Sequence, residues 1–456
     1  MFLIIFSLLK LFAHLSLRDD LMLYELAEEA KREISKYSDD YEIYLSSGKV
    51  LQLDSQKTDL NFAKEEFDIG LGIRVIKDGR LGFAFTSDVS RIAETAENAY
   101  SNSKLNVADE YFSFAVPEKL PVVKNTCDKR YDDLELDEII ESLKSVLAVV
   151  EDNGCQVSSG VFSSSYGENL IVNSNGVEAF DKGTGFGIGV SINAVDGDEL
   201  STAYDSVSSN LYDLDGEKLA LEVCDLAKSS LGGEHIETGD MDVVFDYYAA
   251  IGLLSNFLSG FSAENIQRGR SKLIGKTGEK ITTENLSIYD DGTLDGGLSS
   301  GVCDGEGTAS KRTTLVEDGV LKGFLYDIYT ANKDGVESTS NGFRGSYAGI
   351  PSVGSSNVIF DFKNSIDISE IDSGFLTTSV LGAHTANPIT GDFSVECSNA
   401  FAIENGEIAR PVKKAMMSGN IYDILSNCDA LKSEVKQKGS FILPKVFARD
   451  VRVVGN

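Results

Sequence analysis

Apolar residues recur three and four positions apart in "MLYELAEEAKREISKY", which opens at Met22, the spacing of a helix that buries one face. From Tyr41 the period shortens to two. "YEIYLSSGKVLQLDSQ" and "IGLGIRVIKDGRLGFAFTSD" alternate apolar and polar residues as half-buried strands do. Turns are expected at Ser47–Gly48 and at Asp78–Gly79, the second being an Asp-Gly pair suited to a two-residue hairpin. Ser90 stands in front of "RIAETAENAYSNSK" as the cap of a second helix. The order then repeats. "LDEIIESLKSVLAVVED" has helical spacing, and "VSSGVFSSSYG", "ENLIVNSNGVEAFDK" and "TGFGIGVSINAVDGDELSTAYDS" follow as strands, with a hairpin turn at Asn175–Gly176. A loose likeness between the "GLGIRVIKDGRLGFAFTSD" and "GFGIGVSINAVDGDELSTAYDS" segments points to a duplicated helix-plus-sheet element.

Beyond these repeats, "LDGEKLALEVCDLAKSSLGG" is a helix stopped by Gly232–Gly233, and "MDVVFDYYAAIGLLSNFLSGF" is a strand running into an apolar helix. The remainder is strands and glycine turns, with one late helix near "NIYDILSNCDALKSE". Strands neither alternate strictly with helices nor exclude them, so the predicted class is α+β, with N-terminal helix-plus-sheet units before a β-rich C-terminal domain. The expected divisions are an apolar extension at 1–21, an α+β domain at 22–108, a linker at 109–132 holding Pro117 and Pro121, a second α+β domain at 133–232, and the β-rich domain at 233–456. The run "FLIIFSLLKLFAHLSL" lacks a basic flank and a small-residue cleavage site, and it is shorter than the roughly 20 residues of a spanning helix. It is read as an upstream extension before a start at Met22, with a membrane anchor as the alternative.

Composition narrows the function. A chain of 456 residues is long enough for two or three globular units. Its formal net charge of -31 disfavours direct nucleic-acid binding, which needs a basic footprint. The six cysteines are scattered, without a C-x-x-C pair, which fits a reducing cytoplasm better than a disulfide scaffold.

Short motifs mostly fail on context. Gly183, Gly185, Gly187 and Gly189 alternate without the spacing or the following helix of a dinucleotide loop. "GRSKLIGKT" places five residues between Gly269 and Gly275 where a phosphate loop needs four. "GLSSG" matches a nucleophile elbow at Ser299, with His384 downstream in hydrolase order, but no helical sequence follows the serine, so a Gly/Ser turn is preferred. Of the three histidines, His384 lies in "LGAHTANPITGDFSVE" with no second histidine in helical or hairpin reach, which argues against a zinc site built on it. Arg312, ahead of an Asp318–Gly319 turn, offers a cation to a carboxylate or a peptide backbone; a solvated strand face is the plainer reading.

Four ordered segments, "GLGIRVIKDGRLGFAFTSD", "CDGEGTASKRTTLVEDGVLKGFLYD", "LGAHTANPITGDFSVE" and "AIENGEI", together resemble the TldD/PmbA family, in its PmbA (TldE) branch. The resemblance runs from about Met22 to the C-terminus. It implies that a TldD-type chain carries zinc on an H-E-x-x-x-H helix plus a later cysteine, while the TldE-type chain pairs with it without that set. On the matching helix of this chain Ser255 and Gly260 take the two histidine positions and Asn256 the glutamate position. Serine is a poor zinc ligand, asparagine accepts no proton from water, and glycine has no ligand atom. Cys397 lies in the region of the family's cysteine and is read as a small buried thiol.

The resemblance therefore implies no catalytic residue, metal site or cofactor in this chain, with zinc in a TldD-like partner of a cytoplasmic heterodimeric metalloprotease acting on unfolded or extended peptides. It also carries an older label, modulator of DNA gyrase; the charge makes any such effect indirect. The candidate peptide-binding residues are His384, Thr385, Asn387, Asp392 and Arg312. An autonomous serine hydrolase using Ser299 and a stand-alone peptide-binding homodimer are the alternatives.

Overall fold

The computed structural model describes residues 19–455, and the apolar run expected as an extension lies almost wholly outside them. The fold is α+β. Helix α1 (Asp19–Ile34) begins three residues before Met22 and ends three residues before Tyr37. Strands β1 (Tyr41–Gln56), β2 (Asp59–Lys77) and β3 (Arg80–Thr86) then join β4 (Gln156–Asn173), β5 (Glu178–Asp196) and β6 (Glu199–Ser209) in a single six-stranded sheet ordered β3-β2-β1-β4-β5-β6. The two repeats thus meet at the β1–β4 pair.

Asp78 and Gly79 both take positive φ and close the β2–β3 hairpin. Ser47–Gly48 forms no turn. Both residues lie inside β1, paired on one side to Ile69 and Asp68 and on the other to Glu168 and Gly167. Two flanking ladders outweigh the local preference of a Ser-Gly pair. The bend falls instead at Lys57, which takes a φ of 54°. The second helix is capped by Asp88 rather than Ser90: a 3-10 turn at Val89–Arg91 receives the Asp88 carboxylate and leads into α2 (Ile92–Ser103).

Strand alternation sorts side chains onto two faces. Ile43, Leu45, Ile73 and Leu170 face α1 and α2, while Leu53, Phe162 and Ile188 face α3 (Leu136–Asp152) and α4 (Gly216–Ser229). All four helices cover that face. The other face turns Glu42, Tyr44, Arg74 and Ile171 toward the C-terminal region, where Cys303, Ile328 and Tyr347 pack.

The C-terminal region holds a six-stranded and an eight-stranded sheet around one core. The first contains β8 (Leu286–Asp291), β9 (Arg312–Glu317) and β10 (Val320–Leu321). The second has β7 (Gly239–Phe245) beside strand Ser373–Leu381. Against it lies α5 (Tyr247–Leu258). The late helix shrinks to Ile421–Ser426, because Cys428–Leu431 is drawn into a ladder with Val446–Val454. Among the described residues no helix is long and apolar enough to cross a membrane.

Two edges of the N-terminal sheet are blocked by side chains. Asn102 and Asn106 donate to the outward carbonyls of Phe83 (2.9 Å) and Leu81 (2.6 Å) on β3. Asn399 and Lys438 donate to those of Thr202 (3.1 Å) and Ser206 (2.6 Å) on β6. Side-chain caps of this kind keep an edge from recruiting another strand.

On β3, Gly82 lies directly under α2, where an added methyl would overlap the main chain at Ala99 and Ser103. Gly82→Ala is expected to lower stability by about 1–3 kcal/mol, the usual cost of overpacking, measured by urea unfolding; an unchanged midpoint would show that α2 has slack over the sheet.

Candidate functional site

Helix α5 starts where the Asp246 carboxylate accepts the Tyr247 N–H (2.7 Å) and the Lys445 ammonium (2.7 Å). Its buried face comprises Tyr247, Ala249, Ala250, Leu253, Leu254 and Phe257. Ser255 and Asn256 occupy the more open side. Ser255 Oγ donates back to the Ile251 carbonyl (2.6 Å), a bond confined to its own helix. Asn256 Nδ2 reaches across to the Ala383 carbonyl (3.0 Å), joining the helix to the turn that carries His384. Gly260 sits in the 3-10 turn Ser259–Phe261, where a Cβ would lie 3.2 Å from the Tyr422 hydroxyl and 3.3 Å from Ser271 Oγ. These donors do not suit zinc: an aliphatic hydroxyl bonded to its own helix, a neutral amide bonded to a carbonyl, and a position without a side chain. Among the described residues no group of three or more His, Cys, Asp or Glu side chains is arranged to hold a metal ion.

The structure brings four of the five peptide-binding candidates together and spends three of them on the turn itself. Thr385 Oγ1 donates to the Gly382 carbonyl (2.7 Å), and Asn387 Oδ1 accepts the N–H groups of Ile389 and Thr390 (2.9 and 3.1 Å). Asp392 accepts from Thr390 Oγ1 and Asn420 Nδ2, both at 2.7 Å, and these bonds hold its carboxyl below the usual range. His384 remains exposed on the short 3-10 turn Ala383–Thr385. Arg312 belongs to a different sheet, where its guanidinium lies 4.0 Å above the Tyr289 ring.

Ser299 sits in the loop between β8 and β9, its N–H donating to Asn357 Oδ1 (3.0 Å), and no helix follows it. The strained strand-to-helix elbow that exposes a nucleophile is therefore not built here. Cys397 is buried, which pushes its thiol up to about 12 and leaves it protonated at neutral pH.

A charged cluster that motif reading did not single out joins the N-terminal sheet to the C-terminal region. Glu42 on β1 is wholly buried and takes a two-pronged contact from Arg74 on β2, at 2.8 and 2.5 Å. Arg344 also donates to Glu42 and, through Nε, to the Gly305 carbonyl (2.5 Å). Arg74 lies 3.4 Å from Glu306, whose second oxygen accepts the Ile328 N–H at 2.8 Å. Beside it, Asp304 accepts the N–H groups of Glu306, Thr308 and Gly342. Burial alone would push Glu42 up, yet the two guanidiniums hold it below its ordinary range. For Glu306 the balance reverses: burial dominates, Arg74 opposes it, Asp304 and Asp327 add to it, and the carboxyl is pushed up to about 8. The signal in the sequence was the dense Cys303–Arg312 segment, but nothing local marks Glu42 or Arg74 as its partners.

Three family models match in chain order: PmbA/TldA metallopeptidase domain 1 over residues 41–103, the central domain over 129–231 and the C-terminal domain over 238–455. An uncharacterized protein of Methanocaldococcus jannaschii is 41% identical over 381 residues, spanning 83% of this chain and 87% of that one. The chain belongs to the PmbA/TldD family. Within this family of metalloproteases, the metalloprotease PmbA of Escherichia coli O157:H7 is 24% identical over 442 residues, covering 95% of this chain and 96% of its own. TldE from Thermococcus kodakarensis superposes with a TM-score of 0.88 at 28% identity, over 94% of this chain and all of that one. A TldD homologue of Haemophilus influenzae is 25% identical over 403 residues, 81% of this chain and 80% of its own.

Glu42→Ala strands two buried guanidiniums and is expected to cost about 3–5 kcal/mol, or to prevent folding, as read by thermal and urea unfolding; a loss below about 1 kcal/mol would mean that solvent reaches the cluster. Because folding raises Glu306 from an ordinary 4.5 to about 8, the folded state binds more protons there than the unfolded state does. Its contribution is complete below pH 4.5 and fades as pH rises through 8. Wild-type stability should therefore fall between those limits more steeply than that of Glu306→Gln, whose amide keeps an acceptor for Ile328; parallel slopes would remove Glu306 from the pH response.

Proposed function

We propose that this chain is the non-catalytic, TldE/PmbA-type subunit of a TldD–TldE metalloprotease, working in the cytoplasm on unfolded or extended peptides. The observation that carries the reading is the pair of roles found on α5 and its extension. Asn256 stands where the resemblance expects the general base and ties the helix to the His384 turn, while Gly260 stands at a ligand position filled by Tyr422 and Ser271. A chain that uses these positions for packing leaves zinc, and the activation of water, to a TldD-like partner. The existence of separately named PmbA and TldD relatives supports such a partnership. In the complex, this chain completes a chamber and holds peptide, with His384 and the turn to Asp392 as one wall and Arg312 as a separate contact. The strong acidity fits no direct contact with nucleic acid.

Co-expression with a TldD-like chain that retains H-E-x-x-x-H is the test. A stable complex is expected, with zinc and peptide hydrolysis following the partner and with Ser299→Ala fully active. Stoichiometric zinc in this chain alone, or ester cleavage by this chain that Ser299→Ala abolishes, would falsify the reading. Failure to form any complex would favour a stand-alone peptide-binding homodimer.

A further inference from the structure

β2 extends well past β3: the β2–β3 ladder covers Leu71–Lys77, whereas β2 begins at Asp59. The Asp78–Gly79 turn makes Lys77 and Arg80 a hydrogen-bonded pair, so Val75, Ile73 and Leu71 direct their main chain toward β3. The same alternation directs the main chain of Phe67, Glu65 and Ala63 outward, beyond the end of β3. Among the described residues no other segment pairs with them. This stretch also lacks the asparagine and lysine caps that block β3 and β6.

Its side chains favour an occupant. Phe67 is 61% exposed on the helix-covered side of the sheet and Phe62 47% exposed on the other, and Leu60 adds 36%. Glu65, Glu66, Asp59 and Asp68 outnumber Lys64, which is already paired with Glu66, while Lys49 on β1 pairs with Glu65 at 2.6 Å. An incoming strand therefore meets apolar contacts and a negative rim. A second copy of this chain, itself carrying -31, is repelled by that charge.

We propose that the outer edge of β2, from Ala63 to Phe67, is a strand-addition site for an extended peptide with alternating apolar and basic side chains. This rests on the peptide-handling part of the proposed function and gives capture a position separate from the His384 turn. Main-chain pairing supplies affinity without sequence preference, and the alternate side chains supply selectivity.

The test is fluorescence anisotropy of full-length protein with a labelled eight-residue peptide of alternating valine and lysine, at about 150 mM salt to screen long-range attraction. A second peptide carries N-methyl groups on alternate residues, with the same charge and no donors on the pairing edge. Wild-type protein is expected to bind the first peptide at least about tenfold more tightly than the second. Ala63→Pro removes an outward donor not used within the sheet and should cause a similar loss at unchanged circular dichroism and melting temperature. Phe67→Ser, which removes the apolar contact without adding charge, should also weaken capture.

Equal binding of both peptides reduces the effect to charge and overturns the proposal, as does undiminished binding by Ala63→Pro or no binding at all. A wild-type dimer in light scattering that Ala63→Pro dissociates would assign the edge to a second copy and overturn the peptide occupant. Association with the TldD-like chain is scored in parallel. Loss of peptide capture with that complex intact sinks the β2 site alone, whereas loss of the complex in wild type sinks the subunit reading.

Discussion

The arrangement of this molecule hangs on a fully buried carboxylate. Glu42 sits in a central strand, flanked on both sides by paired neighbours, and its charge is met from the adjacent strand by Arg74 and from the C-terminal region by Arg344. Two of the three groups belong to the sheet and the third arrives from 302 residues further along the chain. The attraction is strong because the surroundings are dry, and the desolvation it offsets is large for the same reason. Such a pairing specifies how one layer sits on the other more sharply than apolar contacts do, because a misplaced partner leaves a bare charge. The loop around Asp304 and Glu306 is held in the same place by N–H donors, so the Cys303–Arg312 segment is fixed at the seam between the layers.

That seam explains why the sheet carries its helices on one side only. Strand alternation sends Ile43, Leu45 and Leu53 toward helices and Glu42 and Tyr44 toward the C-terminal region, so one strand serves two interiors of different character. The apolar face accepts helices from either repeat. The mixed face accepts one shape, set by salt bridges and by Tyr44, Ile171 and Val177.

Much of this could be read along the chain because periodicity and turn chemistry are local. The Asp78–Gly79 hairpin and helix α3 over Leu136–Asp152 are visible in short windows, whereas Ser255, Asn256 and Gly260 are singled out only by the family resemblance. Ser47–Gly48 misleads because its fate is decided by neighbours roughly 20 and 120 residues away rather than by its own preference. The late helix is cut short for the same reason, by a ladder to Val446–Val454. The Glu42 cluster is invisible for a related cause: its members are separated by up to 302 positions, and a lone Glu in a strand looks like any solvated acid. In the His384 turn, residues read from the sequence as peptide contacts bond within the turn itself, at Thr385, Asn387 and Asp392.

Gly260 bears on what this helix can accommodate. The space beside its Cα is taken by the Tyr422 hydroxyl, Ser271 Oγ and a Leu273 methyl, and the Tyr422 hydroxyl is itself buried without a hydrogen-bond partner among the described residues. A Cβ at 260 would already crowd the Tyr422 hydroxyl and Ser271 Oγ, and replacing Asn256 would release the turn at Ala383. Building a ligand set at this helix is then a change across several elements rather than a single replacement.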